Sequence, residues 1–144
     1  MTLYYKDFSG GPNANTIEIP GPSSFPLNFS RFGAMFVSDD PITEGIEEGS
    51  APIARGRGFY VITDLDRTHG LWLASVVFIN GKYKGSTLEL QGSYSTFEGV
   101  SEVAVVGGTG KFRLARGYVT YETLSFDPAT GYAVFQSNMT VLHY

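Results

Sequence analysis

Five charged residues could form an acid–cation site or a structural ion pair. Arg55 and Arg57 are two residues apart in ARGRGFY, and Arg113 and Arg116 are three apart in KFRLARGY. A spacing of two puts side chains on one face of a β-strand, and a spacing of three puts them on opposite faces, so one of the second pair is expected to face inward. A buried arginine needs a carboxylate or a ligand oxygen. Asp39, at the end of FGAMFVSD, is the natural carboxylate partner.

The glycine-rich run VVGGTGKFRLARGY, residues 105–118, closes on a lysine, as phosphate-binding loops do. A P-loop requires a glycine five residues before Gly110 and a Ser or Thr after the lysine, but Val105 and Phe112 occupy those positions. A dinucleotide-binding loop is followed by a helix, whereas FRLARGYVTYETL alternates like a strand. The run therefore predicts a turn between two strands, in which glycine permits positive φ.

Other catalytic groups are sparse. The chain has no cysteine, and its two histidines, His69 and His143, have no triad context; there is no G-x-S-x-G either. The carboxylates between residues 39 and 48 lack the ligand spacing of a calcium loop. We therefore expect neither a metal nor a cofactor.

Length and charge indicate one domain, residues 1–144, with a net charge of −4. This acidity argues against a nucleic-acid partner, and no apolar run approaches the ~18 residues of a membrane span. MTLYYKDF lacks the charged and apolar regions of a signal peptide, so the protein is either cytosolic or its leader precedes residue 1. Two glycosylation sequons, at Asn28 and Asn138, favour secretion.

Strand signals recur along the chain, and helical periodicity is almost absent. Turn residues such as Asn80-Gly81 separate the apolar runs. Strands are predicted at 2–8, 32–39, 53–63, 71–79, 84–91, 101–106, 112–124 and 131–143. Eight short strands favour an antiparallel barrel or sandwich. The strand LWLASVVFI is apolar on both faces, so its outer face requires a subunit interface or a covering loop.

Several segments together resemble the plant dirigent family. They occur in the family's order and cover most of the chain from residue 32, and LYYKDFSGGPN at 3–13 fits the family's first strand. The segments are FGAMFVSDDPITEG at 32–45, ARGRGFYV at 54–61, NGKYKGSTLELQG at 80–92, VVGGTGKFRLARGY at 105–118, and the terminal LHY.

The resemblance implies an all-β, eight-stranded antiparallel barrel, shared with allene oxide cyclase, that is usually a homotrimer secreted to the apoplast and cell wall. Members bind phenolics derived from phenylpropanoids. The best-known ones steer the coupling of two monolignol radicals to one lignan stereoisomer, and a separate oxidase or laccase supplies the radicals. Others resemble pterocarpan synthases, which dehydrate an isoflavanol and close a ring through a quinone methide.

Family motifs imply roles for particular residues. Asp39 matches the first aspartate of the DDP motif, and Arg116 the arginine of the ARG motif; both are expected to face the pocket as the catalytic acid and cation. An aspartate can give a proton to a leaving hydroxyl or take one from a phenol, and an arginine can stabilise a phenolate. Either Phe59 or Tyr60 should contact substrate, and alternation alone does not decide which.

Three departures separate the chain from lignan-forming members. Lys111 replaces an acid after GGTG, Arg57 replaces a glutamine in the arginine-rich strand, and the usual cysteine pair is missing. The chain is closer to branches that include pterocarpan synthases, with Lys111 and Arg57 as expected substrate contacts. The leading hypothesis is stereocontrol of a radical or quinone methide without intrinsic oxidase activity. The alternatives are a dehydratase or cyclase acting without an oxidase, a non-catalytic phenolic-binding protein of the wall or of defence, and an allene oxide cyclase-like activity.

Overall fold

The computed structural model describes residues 1–19, 31–66, 69–95 and 99–144. These residues form nine β-strands and two single 3-10 turns, Gly81–Tyr83 and Gly110–Phe112. No helix among them is long and apolar enough to cross a membrane. The strands are β1 (Thr2–Phe8), β2 (Thr16–Ile19), β3 (Met35–Thr43), β4 (Pro52–Ile62), β5 (Gly70–Phe78), β6 (Thr87–Tyr94), β7 (Val100–Thr109), β8 (Arg116–Asp127) and β9 (Tyr132–Leu142).

Eight strands close into the antiparallel barrel that the sequence predicted. The hydrogen-bonded order runs β1-β9-β8-β7-β6-β5-β4-β3, and β1 also pairs with β3, where Tyr5 lies opposite Ile42. Each of the eight predicted strands overlaps one of these. The ninth strand, β2, was not predicted; it adds to the edge of β3, where Ile17 pairs with Val37.

One end of the barrel is closed by aromatic side chains. Phe112, fully buried in the second 3-10 turn, packs its ring against Phe78 and Tyr83 at centroid distances of 5.5 and 4.6 Å. Gly110 makes this turn with φ +61°, and a Cβ there would lie 2.6 Å from Ser86 Oγ. The glycine run is thus a strand-to-strand turn, as predicted, and it carries the plug of this closed end.

The segment between β3 and β4 covers part of the outer barrel surface. Lys6 points outward from β1, yet its side chain is buried because its ammonium group donates to the carbonyls of Ile46 and Glu47. The segment therefore covers the outer side of β1, and a covering loop over the two-faced apolar strand β5 stays a prediction.

A subunit interface, the other requirement considered for a two-faced strand, concerns an apolar outer face that is partly exposed in the described part of the chain. Two apolar rows cross the outer surface of the adjacent strands β2, β3, β4 and β5. On β6, the next strand, the residues paired with the ends of these rows are polar: Gln91 and Ser93. We call these eight residues the outer apolar face: Ile17, Val37, Phe59 and Leu73 in one row, and Ile19, Met35, Val61 and Leu71 in the other. Phe59 is 40% exposed. A trimer stays a prediction, for which this face is the candidate contact surface.

Candidate functional site

A cavity of about 630 Å³ enters the barrel from the end opposite the Phe112 plug. Its size suits a ligand of two or three rings, since ligand pockets commonly span roughly 300–1,000 Å³. Eight of its seventeen described lining residues are aromatic: Tyr5, Phe36, Tyr60, Trp72, Tyr94, Tyr121, Phe126 and Phe135. Polar side chains lie among them: Asp7, Ser9, Thr16, Ser38, Asp40, Glu122 and Thr123.

The deep aromatic wall is held by edge-to-face and tilted ring contacts. Trp72 meets Tyr121 at a centroid distance of 4.8 Å and Tyr94 at 5.5 Å, while Tyr5 meets Tyr121 at 5.3 Å. The hydroxyls of Tyr5 and Tyr121 are hydrogen-bonded to each other at 2.9 Å. Burial raises the pKa of both phenols, so both hydroxyls stay protonated at physiological pH. One of their two hydrogens is used in the mutual bond, and the other is available to a ligand oxygen.

Glycines in the barrel strands make room for these rings. A Cβ at Gly56 would lie 2.5 Å from the Tyr5 ring, and one at Gly70 would lie 2.5 Å from the Tyr60 ring. Tyr60 is also anchored by its hydroxyl, which donates to the backbone carbonyl of Tyr94 at 2.9 Å. The rings therefore lie directly on strand backbone, and this sets the depth of the cavity.

Two carboxyl groups, Asp7 and Asp40, meet at the cavity wall. Continuing the β1–β3 register by two residues places Asp7 opposite Asp40, and the two side chains share a hydrogen bond. The Thr16 hydroxyl donates to the other side of Asp7. Asp40 is only 6% exposed, and its Oδ1 has no hydrogen-bond partner among the described residues.

Ionising both carboxyls together is unfavourable in free energy. Burial raises the pKa of Asp7, although the Thr16 hydrogen bond opposes the shift. Burial and the adjacent Asp7 carboxylate raise the pKa of Asp40 well above its usual range. Two carboxylates in direct contact repel each other, so the pair retains one proton. The pair is therefore an acid, on Asp40, beside a base, on Asp7, within one aromatic cavity.

The structure corrects the predicted position of Asp39. Successive residues of a strand face opposite sides, so Asp40 points into the barrel and Asp39 points out. Asp39 Oδ1 accepts from Arg55 Nε at 2.8 Å and from Arg57 Nε at 3.3 Å, and all three side chains are partly exposed. The arginine pair does share one strand face with Asp39 as partner, but the face is the outer one. These three residues form a surface ion-pair cluster outside the cavity.

Arg116 is also corrected, because neither it nor Arg113 faces inward. Residues 110–115 form the 3-10 turn and its exit rather than a strand, and β8 begins at Arg116 with its side chain exposed. The inward position is taken by Ala115. Arg116 and Asp39 therefore do not face one cavity, and none of the described lining residues is Lys, Arg or His.

The remaining predicted contacts divide between cavity and surface. Tyr60 lines the cavity, whereas Phe59 lies on the outer apolar face. Lys111 lies at the closed end, where its ammonium donates to the Lys82 carbonyl at 2.7 Å. Asn138 is exposed, and its Oδ1 accepts from Thr2 Oγ1 at 2.8 Å.

The glycosylation prediction remains open. Asn28 lies outside the described residues, and glycosylation at both sequons stays a prediction. No group of three or more His, Cys, Asp or Glu side chains in the described ranges could hold a metal ion.

The sequence reasoning missed Asp7 and Asp40. Both lay in quoted motifs, KDF and SDDP, but β3 alternates apolar residues on both faces, with Phe36 inside and Val37 outside. The apolar pattern of β3 therefore did not show which of the two aspartates faces inward. The usable signal was the small-residue side of β4, where Ala54 and Gly56 mark the inward face opposite Ile42 and Asp40.

Comparison with known proteins places this geometry in a family. The family model described as Dirigent-like protein matches residues 1–142. Dirigent protein 15 of Arabidopsis thaliana is 38% identical and is aligned over 100% of this chain and 79% of its own length. Pterocarpan synthase 1 of Glycyrrhiza echinata is 32% identical over 100% of this chain and 77% of its own. The solved structure of the pterocarpan synthase dirigent protein GePTS1 superposes with a TM-score of 0.87 at 31% identity, covering 100% of this chain and 83% of that one. The chain therefore belongs to the dirigent family.

Proposed function

We propose that this protein gives stereocontrol over a reactive phenolic intermediate, a quinone methide or a radical pair, held in the barrel cavity. The observation that carries the proposal is the buried Asp7–Asp40 pair in the wall of a cavity rich in aromatic side chains. Aromatic walls bind phenol rings by stacking, and an acid beside a base moves protons without net change. Relatives named pterocarpan synthase support a dehydratase or cyclase form of this function.

In the dehydratase form, the substrate is a phenol that carries a benzylic hydroxyl. Asp40 gives its proton to that hydroxyl, the C–O bond breaks, and the electron pair leaves with water. Asp7 takes the phenolic proton, so a neutral quinone methide forms and the pair still holds one proton. Ring closure reverses the roles: the attacking hydroxyl loses its proton to Asp40, and Asp7 returns its proton to the quinone oxygen.

The tyrosine pair supplies the polar contact that Arg116 was expected to make. A free hydroxyl hydrogen on Tyr5 or Tyr121 can donate to the phenolic oxygen while negative charge develops there. Fixed aromatic walls then expose one face of the intermediate to attack. Handedness needs only a small difference between the two barriers, since about 1.4 kcal/mol is a tenfold preference.

The radical form of the function differs in needing an external oxidase or laccase. The test is therefore to incubate the purified protein with a racemic isoflavanol, without an oxidase, and to separate the products by chiral chromatography. We expect one enantiomer of the ring-closed product. In a second reaction, a laccase and a monolignol are supplied, and the lignan is analysed in the same way.

Two matched substitutions locate the chemistry. Asp40→Asn is expected to abolish turnover of the isoflavanol, because it removes the proton donor. Asp39→Asn, one residue away on the outer surface, is expected to leave product and handedness unchanged. Racemic or absent product from the unmodified protein in both reactions would contradict stereocontrol and favour a non-catalytic phenolic-binding protein.

A further inference from the structure

The charge inside the cavity has no cationic partner there. Its ionisable acids are Asp7 and Asp40 in the wall and Glu122 at the mouth, and no described lining residue is basic. Arg55 flanks Gly56, the residue opposite Asp40, but its guanidinium is bonded to the carboxylate and carbonyl of Asp39 on the outer surface. A ligand in the cavity therefore meets a net negative wall in a partly water-excluded space, where charges act more strongly than in bulk water.

Electron-rich rings surround the same space. Trp72 lies at the centre of the deep wall, with Tyr5 at 6.2 Å, Tyr94 at 5.5 Å and Tyr121 at 4.8 Å between ring centroids. The faces of indole and phenol rings attract cations, most strongly where water is excluded. Several such rings beside a carboxylate are the usual chemistry of ammonium recognition.

We propose that the cavity also binds aromatic ammonium compounds, with the ammonium group at the Asp7–Asp40 pair and the aromatic body among Tyr5, Trp72 and Tyr121. The ammonium group replaces the shared proton as the positive partner, so both carboxyls ionise and one proton is released on binding. A phenol that carries a carboxylate meets the negative charge of the pair and binds more weakly. The proposal uses the cavity of the proposed function, but it requires no turnover and no stereocontrol.

Three small phenols test the charge preference directly. Tyramine, tyrosol and 4-hydroxyphenylacetate share a para-substituted phenol and a similar size, and they carry positive, zero and negative side-chain charge at neutral pH. Trp72 is the single tryptophan of the chain and lines the cavity, so its emission reports binding at this site. We expect tyramine to bind about tenfold tighter than tyrosol, and 4-hydroxyphenylacetate about tenfold weaker, each step corresponding to about 1.4 kcal/mol.

Substitutions separate the acid pair from general surface charge. Asp7→Asn and Asp40→Asn are each expected to reduce the preference for tyramine over tyrosol to less than about threefold, whereas Asp39→Asn should keep it. Two alternative variants of the pair are used so that a failure of one to fold, seen by circular dichroism, leaves the other as the test. Equal affinity for all three phenols, tightest binding of the carboxylate, or no binding at all would overturn the proposal.

The result is independent of the proposed function. A protein that orders the three phenols by charge but gives racemic product refutes stereocontrol alone. A protein that is stereoselective with neutral phenols but ignores charge refutes ammonium binding alone.

Discussion

Replacing Asp40 by asparagine is expected to stabilise the protein while abolishing its activity. Folding buries two carboxyls against each other and raises the pKa of Asp40, chiefly through burial and the neighbouring Asp7. In the unfolded chain at neutral pH both groups are ionised, so folding must either take up a proton or bury two like charges. Asparagine at position 40 removes that requirement and can still donate a hydrogen bond to Asp7.

The size of the effect follows from the repulsion that the proton avoids. Two ionised carboxylates about 4 Å apart repel by about 4 kcal/mol at an effective dielectric constant of about 20. Retaining one proton lowers this cost, so Asp40→Asn is expected to stabilise by about 1–3 kcal/mol at neutral pH. For a chain of this length, that raises Tm by about 3–10 °C.

The pH dependence has a definite sign. A carboxyl whose pKa is higher in the folded state favours folding of the protonated form, so its cost is absent below the unfolded pKa near 4 and grows as the pH rises above it. The variant and the unmodified protein should therefore have equal stability below about pH 4 and diverge above it. The contribution of Asp39 to stability depends on pH with the opposite sign. Slight burial raises its pKa, but the contacts with Arg55 and Arg57 outweigh burial and lower it.

Asp39→Asn is thus a matched control one residue away. It should destabilise by at most about 1 kcal/mol at neutral pH, since the ion pairs are exposed, and the loss should vanish as the pH falls below about 4. Urea unfolding followed by circular dichroism, at several pH values, measures both variants. If Asp40→Asn is destabilising at neutral pH, or if its effect is the same at every pH, the acid pair as described here does not exist.

Two further predictions concern the barrel surface and the packing of its interior. Phe59→Glu should convert a self-associated protein to a monomer in sedimentation velocity, because it puts a charge on the outer apolar face. Val106→Glu, at an exposed position of β7, three strands from β4 in the sheet, should leave the association unchanged. A monomeric unmodified protein would refute the contact surface. Gly56→Ala would place a Cβ 2.5 Å from the Tyr5 ring and should push that ring toward the cavity. We expect the free energy of unfolding in urea to fall by about 1–3 kcal/mol and tyrosol binding to weaken. Unchanged stability and affinity would show that the Tyr5 ring moves aside without cost.

Much of the fold could be predicted from the sequence because turn chemistry and apolar alternation act locally. Asn80-Gly81 begins the 3-10 turn between β5 and β6, with Gly81 at φ +76°, and the run ending at Gly110 turns between β7 and β8. Strand β2 was missed because four residues carry too little alternation to detect. Its formation depends on an edge that β3 offers, which is a tertiary contact.

The site could be predicted only in its chemistry. An aspartate of the DDP motif and an aromatic contact from Phe59 or Tyr60 were both expected, but the choice between Asp39 and Asp40 depends on which of two successive residues of a strand faces inward. That choice is readable when one face is polar and the other apolar, and β3 has apolar residues on both faces because its outer side belongs to the outer apolar face. The same feature that suggests self-association therefore concealed which aspartate faces inward.

The two aspartates of this motif also show why a buried acid pair points to function. Asp39 forms favourable contacts with two arginines, and its loss would weaken the fold slightly. Asp40 has an oxygen without a hydrogen-bond partner among the residues that the structure describes, and it lies beside a second carboxyl group; both features oppose folding. An asparagine or a small apolar residue would serve the barrel better at that position. A group that costs stability where it lies, in the wall of an aromatic cavity, is best explained by the proton it holds for a bound molecule.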